Sequence, residues 1–195
     1  MSNIHYLKGA LKQFNPTFDR WDEPVVRKTK NGMVYGRPSR GFGDAPFHYA
    51  GKFMKPEPWS DMMKEIKEVS EKITQEELGI KTKYTFCLCG YYSEKGEGIP
   101  HHSDTVPTED DLVFSASFGA PRVFEWRQYS KQIKEHVNTS DITIDPAWKH
   151  LTTSYVLEHG DVLIFNGRTQ MTSTHGVPDV QGVGERINLT FRSGL

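Results

Sequence analysis

Cysteine is nearly missing from this chain: 195 residues hold only Cys87 and Cys89. They flank Leu88 in a segment that reads as a strand, and we expect them on opposite faces and unbridged. A chain without a disulfide framework points to a reducing, intracellular compartment, cytoplasmic or nuclear. Long apolar runs are also missing, none approaching the ~20 residues that cross a bilayer, so no membrane is expected. The first residues, MSNIHYLKGALKQFNP, lack the apolar stretch of a secretory signal. Net charge is almost absent, with 24 Lys and Arg against 25 Asp and Glu. That excludes coating nucleic acid by bulk electrostatics but not reading it locally. Repeats and low-complexity tracts are not found, and 12% aromatic residues exclude a disordered chain. What is left is one folded domain over 1–195, expected to be a monomer.

The balanced charge hides an asymmetry. Residues 1–55 carry ten basic side chains against four acidic ones, a net +6 that leaves −7 for the remainder. Aromatics are interleaved with them, including Phe14, Phe18, Trp21, Tyr35, Phe42, Phe47 and Tyr49. Basic groups beside stacking surfaces suit a nucleic-acid-contacting face, and equally a solvated flap whose aromatics pin it to a core.

After Pro56 and Pro58, apolar residues at Trp59, Met62, Met63, Ile66, Val69 and Ile73 follow helical spacing, and Gly79 ends the run. From Lys83 the pattern changes to short strands, expected at 84–92, 98–102, 112–119, 122–129, 153–158, 161–166, 172–177 and 186–192. His159-Gly160 and Asn166-Gly167 read as turns between them. This density of strands predicts a sandwich or barrel, the double-sheet jelly roll included. Residues 130–152 read as a long insertion or connecting loop. The organisation is thus a basic aromatic segment (1–55), a supporting helix (56–82) and a β core (83–195).

The last strand separates its two faces completely. Ile187, Leu189 and Phe191 point one way, and Arg186, Asn188, Thr190 and Arg192 the other. Such a strand either exposes its polar face to solvent or lines an interior that receives an anion, which the planar fork of arginine binds bidentately. His102-Ser103-Asp104 places an imidazole and a carboxylate on one side of a strand end. By itself this spacing is weak, since composition alone yields about 0.5 occurrences. A second instance, His159-Gly160-Asp161, falls in a hairpin turn and reads as structural. His175 strengthens the first. Two histidines and one carboxylate on adjacent strands can occupy one face of an octahedral Fe(II), leaving positions open for chemistry. Zinc is disfavoured because no general-base glutamate is spaced as in zinc proteases. His101 reads as a rim residue.

Taken in order, His102-x-Asp104, His175 and the RINLTFR strand resemble the AlkB family of Fe(II)/2-oxoglutarate dioxygenases. LCGYYSEKG, LVFSASFGAPRVFEW and LEHGDVLIFNG are similar to that family's core strands, and RPSRGFGD through FHYAG to its substrate lid. The resemblance spans about residues 33–195. It implies an α+β, mainly β fold with a double-stranded β-helix (jelly-roll) core, a supporting helix and a loop-rich N-terminal lid. It implies that His102, Asp104 and His175 bind iron. Tyr92, Arg186 and Asn188 are then expected on the distal carboxylate of 2-oxoglutarate, with Arg192 near its chelating end.

The activity implied is oxidative dealkylation of an N-alkylated base in DNA or RNA, with O2 consumed and succinate, CO2 and formaldehyde released. A base must be flipped out or single-stranded to reach such a site. Phosphate contacts are expected from Arg27, Lys28, Lys30, Arg37 and Arg40, and stacking from Tyr35, Phe42 or Tyr49. Two positions depart from the family pattern: Gly90 replaces an asparagine, and Val106 an acidic residue four after the first metal histidine. Losing that carboxylate favours a neutral alkylated base over a cationic one, unless Glu109 and Asp110 fold back. The competing readings are an oxygenase of the same chemistry acting on a protein or small molecule, and a non-catalytic nucleic-acid-binding module.

Overall fold

The computed structural model describes residues 4–29, 32–49 and 52–193, without the side chains of 27, 29, 34, 35, 48, 49 and 52. The chain runs β1 (His5–Leu7), β2 (Val26–Thr29), β3 (Gly32–Tyr35), β4 (Ser39–Gly43), β5 (Phe47–Tyr49) and β6 (Lys52–Met54) into helix α1 (Asp61–Leu78). Then follow β7 (Phe86–Tyr92), β8 (Ile99–His102), β9 (Leu112–Gly119), β10 (Arg122–Tyr129), β11 (His150–Leu157) and β12 (Val162–Asn166). A one-turn helix α2 (Gly167–Gln170), β13 (Ser173–Val177) and β14 (Arg186–Arg192) complete it. A six-stranded sheet of order β1-β12-β9-β14-β7-β4 faces a four-stranded one of order β11-β10-β13-β8. These are the two walls of the expected jelly roll.

Helix α1 begins where Ser60 Oγ accepts from Met63 N at 3.2 Å and stops at Gly79, which adopts φ 68°. Its most buried stripe is Met63, Ile66, Ser70 and Thr74. That stripe is rotated from the apolar face the spacing predicts, and its two hydroxyls are satisfied, Ser70 Oγ donating to the Ile66 carbonyl at 2.7 Å and Thr74 Oγ1 pairing with the buried Tyr84 hydroxyl at 2.8 Å. The helix packs on the outer face of the large sheet, against Cys87, Cys89, Phe114, Ala116, Leu189 and Phe191.

Period-2 alternation turns the other residues of the same strands inward. On β9 these are Val113, Ser115 and Ser117; on β14, Arg186, Asn188, Thr190 and Arg192. Arg186 and Arg192 are 2% and 3% exposed, so the polar face of the last strand lines the interior rather than meeting solvent. The same alternation corrects the reading of the cysteines. Residues two apart on a strand share a face, and Cys87 and Cys89 lie buried together in the α1-side core, both free.

Residues 1–55 divide between two roles. β1 pairs with β12, and β4 with β7, so both are edge strands of the large sheet. Among the described residues of this region, the strand pairs β2–β3 and β5–β6 stand outside it. Asp161 ties the N-terminus down, accepting from Tyr6 Oη, Gly9 N and Glu158 N, each at 2.8 Å. The second His-x-Asp is therefore structural. Asn166-Gly167 is not a hairpin turn: Asn166 Oδ1 caps α2 by accepting from Thr169 N at 3.1 Å.

Candidate metal and anion site

The pairing of β8 with β13 sets His102 directly opposite His175. Asp104 follows just beyond the end of β8. His102 Nε2 lies 3.5 Å from Asp104 Oδ1, and His175 Nε2 lies 3.3 Å from Asp104 Oδ2. One ligand atom from each of the three residues falls within 4.8 Å of the others. Two imidazole nitrogens and a carboxylate oxygen converging on one point are the donor set that Fe(II) takes with positions left open.

Their protonation states fit a cation. Burial alone would raise the Asp104 carboxyl, yet Arg192, His175 and His102 hold it well below the usual carboxylate range. Burial pushes the His175 imidazole down to about 4, with Asp104 acting the other way, so the ring is neutral at pH 7. His102 Nδ1 lies 2.8 Å from the Pro100 carbonyl; donation there leaves the Nε2 lone pair facing Asp104. His175 is oriented differently, by stacking on Phe124 (5.3 Å, 19°) and Trp126 (5.5 Å, 7°).

Behind the triad the pocket is lined by Tyr92, Arg186, Asn188, Thr190 and Arg192, with Ser115, Leu88, Gly90 and Phe165. Arg186 Nη2 donates to Ser117 Oγ at 2.9 Å, while its buried Nε and Nη1 find no acceptor among the described residues. Its guanidinium lies 4.6 Å from the Tyr92 ring centroid. Burial lowers the Arg186 pKa, with Tyr92 opposing that. A buried guanidinium with unsatisfied donors suits a carboxylate ligand, and a dicarboxylate has one to offer while its other end reaches the metal. Arg192 Nη1 sits 3.8 Å from Asp104 Oδ1, placing a second cation beside the triad. Asn188 Nδ2 donates to Ser115 Oγ at 3.0 Å and to the Ala116 carbonyl at 2.9 Å. A Cβ at Gly90 would come no nearer than 3.8 Å to Tyr92, so the pocket wall is open there.

The residues expected on the substrate separate. Arg37 lines the pocket, donating to the Tyr91 and Gly98 carbonyls at 3.3 Å each, with its guanidinium 5.8 Å from the Tyr92 ring. Arg40 and Phe42 do not come to the pocket, which corrects the expectation for both. Arg40 alternates with the pocket-lining Ser39, so its side chain is turned to the opposite face. There it is held by Asp19 at 2.6 Å and Glu57 at 2.9 Å. Phe42 is 4% exposed, in the α1-side core. The side chains of Arg27, Tyr35 and Tyr49, and the whole of Lys30, lie outside the described residues. Val106 is fully buried and absent from the pocket lining, and Glu109 and Asp110 pair with Arg168 at 3.6 and 3.3 Å. His101 bridges Thr174 and Glu125, each at 3.1 Å, on the other side of β8.

Several contributors escaped the sequence reading. Ser115 and Ser117 alternate with Phe114, Ala116 and Phe118, and that period-2 pattern could have revealed them. Arg122 carried no such signal. It is 2% exposed, donates to the Gly96, Glu97 and Pro178 carbonyls at 2.9–3.3 Å, and lies 5.6 Å from the Tyr92 ring. Gln170 and Lys134, which touch the main chain of Asp104, come from segments without periodicity.

A family model described as the 2OG-Fe(II) oxygenase superfamily matches residues 11–192. Among curated proteins, "Alpha-ketoglutarate-dependent dioxygenase alkB homolog 3" of Bos taurus is 30% identical over 193 residues, covering 94% of this chain and 62% of its own length. The protein of the same description from Homo sapiens is 31% identical over 182 residues, covering 88% and 58%. The chain thus spans about three-fifths of the length of these relatives. A solved structure titled "The structure of OsALKBH1" superimposes with a TM-score of 0.56 at 17% identity, covering 99% of this chain and 97% of the other. That likeness speaks to the fold alone. With the family match running from Leu11 to Arg192, the chain belongs to the 2OG-Fe(II) oxygenase superfamily.

Proposed function

We propose that this protein is a dioxygenase that removes an alkyl group from a nucleobase nitrogen in DNA or RNA, consuming 2-oxoglutarate and O2. The observation that carries the reading is the convergence of His102, Asp104 and His175 at a pocket whose far wall is the Arg186 guanidinium. When bound, Fe(II) with 2-oxoglutarate and O2 supplies the oxidising power to hydroxylate the alkyl carbon, with succinate and CO2 as co-products. For an N-methyl group the resulting N-hydroxymethyl adduct breaks its C–N bond, leaving the bare nitrogen and formaldehyde.

The chain's own residues bind, orient and exclude. Asp104 stays ionised and His175 neutral, so both present lone pairs without first losing a proton. Arg186 and Tyr92 would take the distal carboxylate, with Arg192 neutralising charge beside Asp104, whereas the Asn188 amide, committed to Ser115 Oγ and the Ala116 carbonyl, shapes the wall beside them. Phe124, Ile99 and Val177 give the pocket apolar walls, against which a flat base can pack. Asp104 is the sole carboxylate among the described pocket-lining residues. That supports a neutral alkylated base as substrate, because a cationic one gains from a nearby unengaged carboxylate.

A second reading, hydroxylation of a protein or small molecule, draws support from the diversion of Arg40 to Asp19 and Glu57. The deciding experiment incubates the protein with Fe(II), 2-oxoglutarate and a panel of cationic and neutral N-methylated oligonucleotides, single- and double-stranded. Loss of the methyl mass with matching succinate supports dealkylation. Succinate release that no oligonucleotide stimulates favours the second reading, and a strong preference for cationic bases refutes the neutral-base argument.

A further inference from the structure

The long segment 130–149 has no role in the chemistry above, yet it delivers a buried ammonium to the metal triad's edge. Lys134 is 5% exposed. Its Nζ donates to three carbonyl oxygens: Asp104 at 2.6 Å, Thr139 at 3.1 Å and Val137 at 3.3 Å. Two of these acceptors belong to the segment itself, whereas the shortest contact belongs to the triad's carboxylate residue. The neighbouring Ile133 is 1% exposed and anchors the segment, its N–H donating to the Met171 carbonyl at 2.8 Å.

The other side of Asp104 is held as well, its N–H donating to Gln170 Oε1 at 2.8 Å. Peptide groups are planar. Gln170 therefore fixes the plane entering Asp104, and Lys134 fixes the plane leaving it. With both planes held, the Cα–Cβ bond of Asp104 has one direction, and from it the carboxylate reaches His102 at 3.5 Å and His175 at 3.3 Å. A pin serving only the segment needs no contact with Asp104.

We propose that Lys134 is a positioning residue for Asp104, so that metal binding and the ordering of residues 130–149 form one coupled equilibrium. The inference rests on the reading of His102, Asp104 and His175 as metal ligands. Coupling of this kind is reciprocal: the ordered segment raises metal affinity, and the metal orders the segment. Supporting groups around metal ligands commonly change affinity by about 10- to 100-fold, and the expectation for Lys134 lies at the lower end.

The test uses metal-free protein and Mn(II) alone, with affinity read from the free-Mn(II) resonance and segment order from hydrogen exchange. Lys134→Met keeps the aliphatic stem and removes the donors. It should weaken Mn(II) binding about tenfold, and Mn(II) should slow exchange over 130–149 in the wild type but not in the variant. Wild-type Mn(II) affinity in Lys134→Met, whatever its melting temperature, overturns the proposal and leaves a merely structural pin. Should that variant fail to fold, wild-type exchange decides: slowing on Mn(II) addition supports the coupling, and none overturns it. A His102→Ala protein that binds Mn(II) as the wild type does overturns the ligand reading and this inference together.

Discussion

Replacing Arg186 by methionine should weaken cosubstrate binding without weakening the fold. The guanidinium is 2% exposed, and its Nε and Nη1 have no acceptor among the described residues. Removing one partner of a buried, hydrogen-bonded charge pair costs about 2–5 kcal/mol. That corresponds to a dissociation constant for 2-oxoglutarate about 30- to about 5,000-fold higher. In the absence of the dianion the balance differs. Arg186 then gains one hydrogen bond to Ser117 and its contact with the Tyr92 ring, about 2–3 kcal/mol together. Against this stands the burial of an uncompensated charge, several kcal/mol. Arg186→Met should thus melt at or above the wild-type temperature when both lack 2-oxoglutarate. The assay is thermal unfolding of Mn(II)-loaded protein with and without 2-oxoglutarate, with titration calorimetry for affinity. At a hundred times the dissociation constant the ligand stabilises wild type by about 2.7 kcal/mol, or about 5–10 °C at this chain length, and the variant should lose that rise. A variant that keeps wild-type affinity, or that melts far lower while still binding, would show that Arg186 serves the fold and not the cosubstrate.

Arg40 beside Glu57 holds that carboxyl below its ordinary value of 4.5, so the stabilisation is present above pH 4.5 and is lost as pH falls through the lower native value. Glu57→Gln should accordingly melt below wild type at pH 7, and the gap should close in acid; a gap independent of pH contradicts the ion pair. Gly96 adopts φ 81°, and a Cβ there would fall 1.4 Å from the Val180 carbonyl oxygen. Gly96→Ala should cost at least about 2 kcal/mol, and urea unfolding with an unchanged midpoint would show that the 93–98 loop does not pack as described.

Much of the fold could be read from periodicity because both faces of the large sheet are covered. Val162, Ile164, Leu189 and Phe191 meet one core and Leu163 and Phe165 another, so apolar residues mark the strands clearly. The RINLTFR strand held the most information, its odd and even positions already separating core from pocket. What it left open was whether its polar face meets water, and only the second sheet decides that. The triad was legible because β8 and β13 are short strands that register places side by side. Arg40 was misread because composition counts charges without asking which face they take. Asp19, 21 residues earlier, and Glu57, 17 later, claim it. Lys134 and Gln170 were invisible for a related reason. Each acts on a main-chain atom of Asp104 from a segment whose path has no sequence period.

The proposed function requires that the triad and Arg186 together make a 2-oxoglutarate-dependent oxidation centre. Succinate formation by Fe(II)-loaded protein, measured alongside methyl loss from an N-methylated single-stranded oligonucleotide, tests it most directly. Equal amounts of succinate and dealkylated base are expected, with both lost in Asp104→Asn. Succinate and methyl loss that persist in Asp104→Asn, or no 2-oxoglutarate turnover with any substrate, would contradict it.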